Sequence, residues 1–219
     1  MHACGAPSNR VQYADVTGPG IVYVVDDDDS VLRALERLMH SAGLEVETFS
    51  SASAFMKRKV SDLPACVVLD IRLRGKTGLD LQSDLGEAQR SLPIIFLTGH
   101  GDIPMTVRAM KGGAFDFLQK PCDDRELLDA IARALAQSRG SQAETAERQE
   151  LQRRVDTLTP REREVLARVV TGKLNRQIAV ELAAAEKTIK VHRGRMMKKM
   201  RAESVAELVV MAQKISLIA

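Results

Sequence analysis

Four short apolar runs, each halted by a polar residue, constrain this chain more than any other feature. Asp26 and Asp27 close Ile21-Val22-Tyr23-Val24-Val25, and Asp70 closes Cys66-Val67-Val68-Leu69. Thr98 closes Ile94-Ile95-Phe96-Leu97, and Lys120 follows Ala114-Phe115-Asp116-Phe117-Leu118. Aliphatic and β-branched runs of this length, separated by helix-like stretches, read as buried parallel strands. Ligand chemistry in an open α/β sheet gathers at the carboxyl ends of its strands. Three carboxylates, a hydroxyl and an ammonium would then share one crevice, a composition suited to Mg²⁺-assisted phosphoryl transfer.

The pattern predicts strands near 21–26, 44–49, 66–70, 93–98 and 115–118, with helices near 29–42, 51–60, 78–89, 103–112 and 123–137. Five βα units imply an α/β fold, a doubly wound five-stranded parallel sheet with right-handed crossovers. With the strand order 2-1-3-4-5, the first and third strands are neighbours and Asp26, Asp27 and Asp70 can meet.

The rest of the chain divides around this domain of residues 21–137. Residues 1–20 lack a secretory apolar core and read as a flexible N-terminal extension. Residues 138–156 are charged, poor in core residues and rich in helix formers, so they read as a linker, helical in its second half. Residues 157–219 read as four short helices. Thr159-Pro160-Arg161-Glu162 is a helix start with an N-cap, Pro at N1 and Glu at N3. Ser204-Val205-Ala206-Glu207 repeats the capping pattern, Asn175 is expected to cap a helix carrying Ile178, Ala179 and Leu182, and a basic helix runs from about Glu186 to Met200.

Charge separates the two domains. Residues 1–136 hold 15 Lys/Arg against 19 Asp/Glu, residues 137–158 hold 4 of each, and residues 159–219 hold 13 against 6. The nets of −4, 0 and +7 sum to the formal +3 of the chain. An acidic front and a basic tail imply different partners, with nucleic acid the natural one for the tail. No apolar run approaches the roughly 18 residues of a membrane span. Cys4, Cys66 and Cys122 lack metal-ligand spacing, which fits a reduced, cytoplasmic setting.

Taken singly, Asp28 or Asp29 reads as a solvated loop or helix-start charge. The whole constellation does not reduce to that, because crowded carboxylates repel and raise one another's pKa unless a cation neutralises them. A hard divalent ion bound through oxygens resolves the conflict. Asp70 could then attack phosphorus as a carboxylate nucleophile. Metal, Thr98 hydroxyl and Lys120 ammonium would stabilise the phosphoryl charge.

The stretch Val24-Val25-Asp26-Asp27-Asp28, then Leu69-Asp70, Leu97-Thr98-Gly99-His100-Gly101-Asp102 and Gln119-Lys120-Pro121 resembles a two-component response-regulator receiver domain over about residues 20–137. The resemblance implies Asp70 as phosphoacceptor. It implies Mg²⁺ held by Asp27, Asp70 and the Arg72 backbone carbonyl, with Asp26 acting through water. Thr98 becomes the switch hydroxyl, Lys120 the phosphate-pairing lysine and Phe117 the switching aromatic, for which plain core packing is the competing account. Two departures stand out: Arg74 occupies the usual position of a Pro, with Lys76 adding further charge, and Cys122 replaces a common Phe. A small half-buried thiol accounts for Cys122 better than redox sensing. Asp26-Asp27-Asp28 also fits the opening of haloacid-dehalogenase-type phosphatases. That reading lacks the later acidic pair closing a strand and leaves Asp70 and the basic tail unexplained.

In the tail, Ile189, Met196 and Met200 recur at helical spacing and are expected to face a core, beside seven basic residues between Glu186 and Arg201. A capped helix, a tight turn and a basic helix make a helix-turn-helix layout. Leu158-Thr159-Pro160-Arg161-Glu162, Gly172, Asn175-Arg176-Gln177-Ile178-Ala179 and Thr188-Ile189-Lys190-Val191-His192-Arg193 resemble the LuxR-type DNA-binding domain of FixJ/NarL response regulators. The resemblance implies Lys190 and Val191 at base edges, and Lys187, Thr188, Arg193, Arg195 and Lys199 at phosphates or nearby. His192 is expected to pack rather than to catalyse. Ala185 forgoes an N-cap and Gly194 interrupts the helix, each at a cost of about 1 kcal/mol. The final helix, through Leu208, Val209 and Met211, is expected either in the core or at an interface. Together the resemblances imply a DNA-binding regulator rather than a metabolic enzyme. Its implied partners are a sensor histidine kinase, double-stranded promoter DNA, RNA polymerase and, on activation, a second copy of itself.

Overall fold

A computed structural model describes residues 19–59, 61–88, 92–99 and 103–217. Most of the expected 1–20 extension, Cys4, the motif residues His100, Gly101 and Asp102, and the last positions expected for the second and third helices lie outside the described residues.

Strands β1 (Ile21–Val25), β2 (Glu45–Phe49), β3 (Ala65–Leu69), β4 (Ile94–Thr98) and β5 (Asp116–Gln119) form one sheet, all neighbours parallel, in the order β2-β1-β3-β4-β5. This is the expected order. β1, β3 and β4 are buried at every position, which is why their sequences are continuous apolar runs, whereas edge strand β2 carries Glu45, Glu47 and Thr48 and is fully buried at no position.

Alternation of side chains across the pleat divides the core into two faces. Tyr23, Val25, Val67, Leu69 and Phe96 pack against α2 (Ala52–Met56), α3 (Gly78–Ala88) and α4 (Ile103–Lys111) through Phe55, Leu81 and Ala109. Val22, Val24, Cys66, Val68, Ile95 and Leu97 pack on the other face against α1 (Asp29–Ser41) and α5 (Asp124–Asp156), through Met39, Leu127, Ile131 and Leu135. Fully burying a side chain such as Ile131 or Leu135 contributes about 1.5–3 kcal/mol. Helix α2 is shorter than expected. It starts at the Ser51 N-cap and ends at the Lys57 C-cap.

The chain clusters into two units, residues 1–142 and 143–219, and the division falls inside α5. This corrects the expected helix end at 137: Asp124–Asp156 is one helix of 33 residues, so the second half of the 138–156 stretch is helical as expected and its first half is helical too. Gly140 costs the helix about 1 kcal/mol relative to Ala, too little to break it when both flanks are held. On one flank the buried Ser138 Oγ accepts the Ala65 N–H at 3.0 Å, and Gln142 Nε2 donates to the Leu63 carbonyl at 3.1 Å. On the other, Leu151 and Val155 are buried, and Val155 joins the core of the second unit.

That second unit contains α6 (Pro160–Val169), α7 (Asn175–Glu181), α8 (Glu186–Met200) and α9 (Val205–Lys214). Their core comprises Val165, Leu166, Val169, Ile178, Ile189, Met196, Met200, Leu208 and Ala212, so Ile189, Met196 and Met200 face inward as expected. Leu208 of the final helix is core, while Val210 is exposed. Thr159 and Glu162 form the expected reciprocal capping box. Asn175 does not cap α7: the N-cap is Leu174, whose N–H donates to Gln177 Oε1 at 2.8 Å. Among the described residues no helix is long and apolar enough to cross a membrane.

The Ser138 bond yields a test of the α5 boundary. Ser138→Ala leaves the buried Ala65 N–H without its acceptor and should lower the stability of the α/β unit by about 1–3 kcal/mol in urea unfolding of the full chain. A change below 0.5 kcal/mol, about the scatter of surface substitutions, would show that this bond does not anchor the helix.

Candidate functional site

The pairing of β1 with β3 builds the acidic end of the sheet. Val25 pairs with Leu69, and the Asp70 N–H donates to the Val25 carbonyl at 2.9 Å, so the next residues, Asp26 and Asp70, emerge side by side. On the other side of β3, Leu69 pairs with Phe96, and Thr98 of β4 pairs with Gln119 of β5. The Lys120 N–H donates to the Thr98 carbonyl at 2.8 Å, which fixes where the lysine leaves the sheet.

From there Lys120 Nζ reaches both carboxylates. It lies 2.5 Å from Asp26 Oδ2 and 3.0 Å from Asp70 Oδ2. Asp26 is 3 % exposed, and burial raises its pKa even though Lys120 and the Asp28 N–H hydrogen-bond to it. Burial pulls the Lys120 pKa down, but hydrogen bonds to Asp26 and Asp70 outweigh it and the net direction is up. The ammonium therefore stays charged between its two partners. Asp70 Oδ1 accepts the Arg72 N–H at 3.0 Å. Thr98 is buried at the same strand ends.

Asp27 faces a different cation. Arg74 Nε lies 3.1 Å from Asp27 Oδ2. Among the described residues no group of three or more His, Cys, Asp or Glu side chains stands together in an arrangement that could hold a metal ion. The expected ligand set of Asp26, Asp27 and Asp70 is thus present at adjoining positions but is tied to protein cations, Lys120 for two carboxylates and Arg74 for the third. Arg72 contributes its N–H to Asp70 in this arrangement. The donor chemistry itself, carboxylate oxygens with a backbone carbonyl, suits a hard divalent ion.

Phe117 is half-buried beneath this end of the sheet, its ring centroid 6.4 Å from that of Phe96. Asp28 is the N-cap of α1 through Ser30, which holds its carboxyl below the usual range, so it is a helix-start charge as read singly. The sequence reading missed Gly78. A Cβ there would stand 2.3 Å from the Asp70 carbonyl oxygen, so only glycine lets α3 begin against the backbone of Asp70. Its signal was a glycine eight residues after the acid at a helix start. Burial pushes the Cys66 thiol up to about 12 and also raises Cys122, neither the environment of a reactive thiolate.

The second unit sorts its basic residues by partner. Lys199, expected near phosphate, instead lies 2.7 Å from Glu162 Oε2 and 3.0 Å from the Thr157 carbonyl, tying α8 to the start of α6. Glu162 is 2 % exposed, and its hydrogen bonds to Lys199 and to the Thr159 N–H hold its pKa below the glutamate value of 4.5. Arg193 NH1 donates to Asn175 Oδ1 at 2.9 Å. Arg161, Arg168 and Lys173 are likewise paired with glutamates. By contrast Lys187, Lys190, Arg195 and Lys198 of α8 are exposed and make no ion pair with a described residue. Thr188 and Val191 are exposed on the same helix. Lys187, Val191, Gly194 and Lys198 follow one another at spacings of three and four, opposite Ile189, Met196 and Met200. Lys198 is among the basic residues read in this helix but not among its expected contacts, although counting that period from Lys187 finds it. His192 is half-buried, as expected of a packed residue, with its Nδ1 unpartnered.

The Glu162–Lys199 pair yields a stability test. Because the folded pKa of Glu162 is depressed, its contribution is full above about pH 4.5 and is lost as pH falls through the lower folded value. Lys199→Met should cost the helical unit about 1–2 kcal/mol at pH 7, discounted from a fully buried pair because Lys199 is partly exposed. Denaturant unfolding from pH 7 to pH 3 checks both claims, and the variant should lose less stability on acidification than wild type.

Comparison with known proteins matches the two units to two different families. Residues 22–132 match the family described as response regulator receiver domain, and residues 156–212 match the bacterial regulatory proteins of the luxR family. Nodulation protein W of Bradyrhizobium diazoefficiens is 47% identical over 212 residues, spanning 94% of this chain and 90% of that protein. Transcriptional regulatory protein FixJ of Azorhizobium caulinodans is 41% identical, spanning 87% of this chain and 90% of its own. The solved structure of response regulator StyR is 44% identical, with a TM-score of 0.80 over 90% of this chain and 100% of that one. The chain belongs to the response regulators that join a receiver domain to a LuxR-type DNA-binding domain.

Proposed function

We propose that this chain is a phosphorylation-controlled transcription regulator in which Asp70 accepts a phosphoryl group and α8 reads promoter DNA. The observation that carries the proposal is the Lys120 ammonium held between Asp26 and Asp70, on a chain whose α8 keeps an unpaired basic face. A sensor histidine kinase is the donor. An Asp70 carboxylate oxygen attacks phosphorus, the P–N bond to the kinase histidine breaks, and an acyl phosphate forms. Mg²⁺, which Asp27 and Asp70 with the Arg72 carbonyl would hold and Asp26 would support through water, supplies charge neutralisation of the phosphoryl oxygens. Lys120 then pairs with a phosphoryl oxygen. Thr98 donates its hydroxyl to another, and Phe117 repacks with it.

Phosphorylation biases the chain toward a dimer that sets two α8 helices on paired half-sites and engages RNA polymerase. Lys190 and Val191 read base edges. Lys187, Thr188, Arg193, Arg195 and Lys198 contact or approach phosphates, and Lys199 positions α8 through Glu162. The site accepts and loses phosphate on itself, so the chain is a signalling protein and not a metabolic enzyme. It works beside the chromosome, in the cytoplasm.

Two experiments test this. Incubated with Mg²⁺ and acetyl phosphate, the wild-type chain should gain one phosphoryl group by intact-mass spectrometry and Asp70→Asn none. Multiple turnover of phosphomonoesters abolished by Asp26→Asn would favour a phosphatase instead. Lys190→Glu should weaken binding to a promoter duplex about tenfold or more in fluorescence anisotropy at fixed salt. Unchanged affinity would remove α8 as the reading helix.

A further inference from the structure

Every carboxylate that a divalent ion would need at the strand ends already has a protein cation on it. Lys120 serves Asp26 and Asp70 from a half-buried position, with 23 % of its side chain exposed. Arg74 serves Asp27 from solvent, with 87 % of its side chain exposed against 25 % for Asp27. Arg74 is followed by Gly75, whose φ of 90° is one that side-chain-bearing residues rarely adopt, so the β3–α3 loop turns just after the arginine. Its basic neighbour Lys76 is engaged elsewhere, by Asp84.

We infer that Arg74 is a built-in competitor for the divalent cation: its guanidinium occupies Asp27, and the ion binds only as that contact opens. The inference rests on Asp27 being a metal ligand, as proposed above. An ion that demands near-ideal octahedral geometry and keeps several of its waters needs room around the Asp27 carboxylate, and a guanidinium 3.1 Å from Oδ2 crowds that room. Like charge adds to the conflict, since a dication and a guanidinium sharing one carboxylate repel. Metal affinity is thereby lowered by the cost of releasing Arg74. That cost is small because the pair is exposed, so the competition tunes the site instead of closing it. Through metal occupancy it also sets how readily Asp70 accepts phosphate.

The test is a Mg²⁺ titration of the full-length protein followed by amide chemical shifts, which reads metal binding without phosphorylation. Arg74→Gln should tighten Mg²⁺ binding about two- to fivefold, the range that an exposed ion pair is worth. Lys76→Gln removes the same charge two residues away but frees Asp84 instead of Asp27, and should shift affinity much less. Raised salt should shrink the gap between wild type and Arg74→Gln, because it screens the pair. Equal gains in the two variants would overturn the inference, reducing Arg74 to one charge among others, and no gain in either would overturn it outright. Asp27→Asn separates this failure from that of the underlying reading. If it leaves Mg²⁺ affinity intact, Asp27 is not a ligand and the metal assignment itself falls.

Discussion

One ammonium organises the acidic end of this sheet. Parallel pairing of β1 and β3 brings Asp26 beside Asp70, and burial of Asp26 would be costly without a counter-charge. Lys120 supplies it from the far side of the sheet, delivered by the backbone bond that continues the β4–β5 ladder. Four of the five strands must therefore pair in register before the two carboxylates are satisfied. Buried ion pairs seldom maximise stability, since well-packed apolar residues of the same volume often do as well or better. A site that keeps two acids and a lysine at the carboxyl ends of its strands is better explained by chemistry than by folding. The same geometry makes the site responsive: a phosphoryl group on Asp70 would offer Lys120 a stronger partner than the carboxylate it now holds.

The helical unit solves a related problem with the opposite sign. A helix carrying seven basic residues between Glu186 and Arg201 repels itself unless some of that charge is absorbed. Lys199 goes to a buried Glu162 that already caps α6, so one carboxylate both starts a helix and fixes the helix that packs on it. Arg193 goes to Asn175, the residue expected to cap α7. The Lys199 contact takes one basic side chain out of the pool available to nucleic acid, and both contacts position α8.

The strand ends were legible because buried parallel strands must be apolar, and a polar residue at their end has nowhere to go but the crevice. The strand order rests on the general pattern of doubly wound sheets, and the sheet has it; the division of the core between two faces is seen only in the structure. What stayed hidden depended on tertiary partners. The fifth helix was expected to end at 137, and only the bonds between Ser138, Gln142 and the backbone around β3 explain why α5 runs on. Lys198 and Lys199 are indistinguishable by composition, yet a step of 100° along the helix sends one to solvent and the other to Glu162. The charge of Arg74 was plain in the sequence, but its partner could be found only once β3 and β1 had been laid side by side.

Pairing, more than charge itself, distinguishes the cations of α8 from one another. In the second unit Arg161, Arg168, Lys173, Lys199 and Lys214 all have carboxylate partners, as surface and capping residues ordinarily do. Lys187, Lys190, Arg195 and Lys198 have none among the described residues, and they fall on a single helix opposite its core face. A solvated face of no function would be expected to intersperse acids at spacings of three and four, since such pairs stabilise a helix by a few tenths of a kcal/mol each. On α8 Glu186 alone offers one, at the first turn, where it serves the helix dipole. The fold thus gives up that local stabilisation over most of α8. A polyanion that displaces bound counterions as it docks is the partner that would return it.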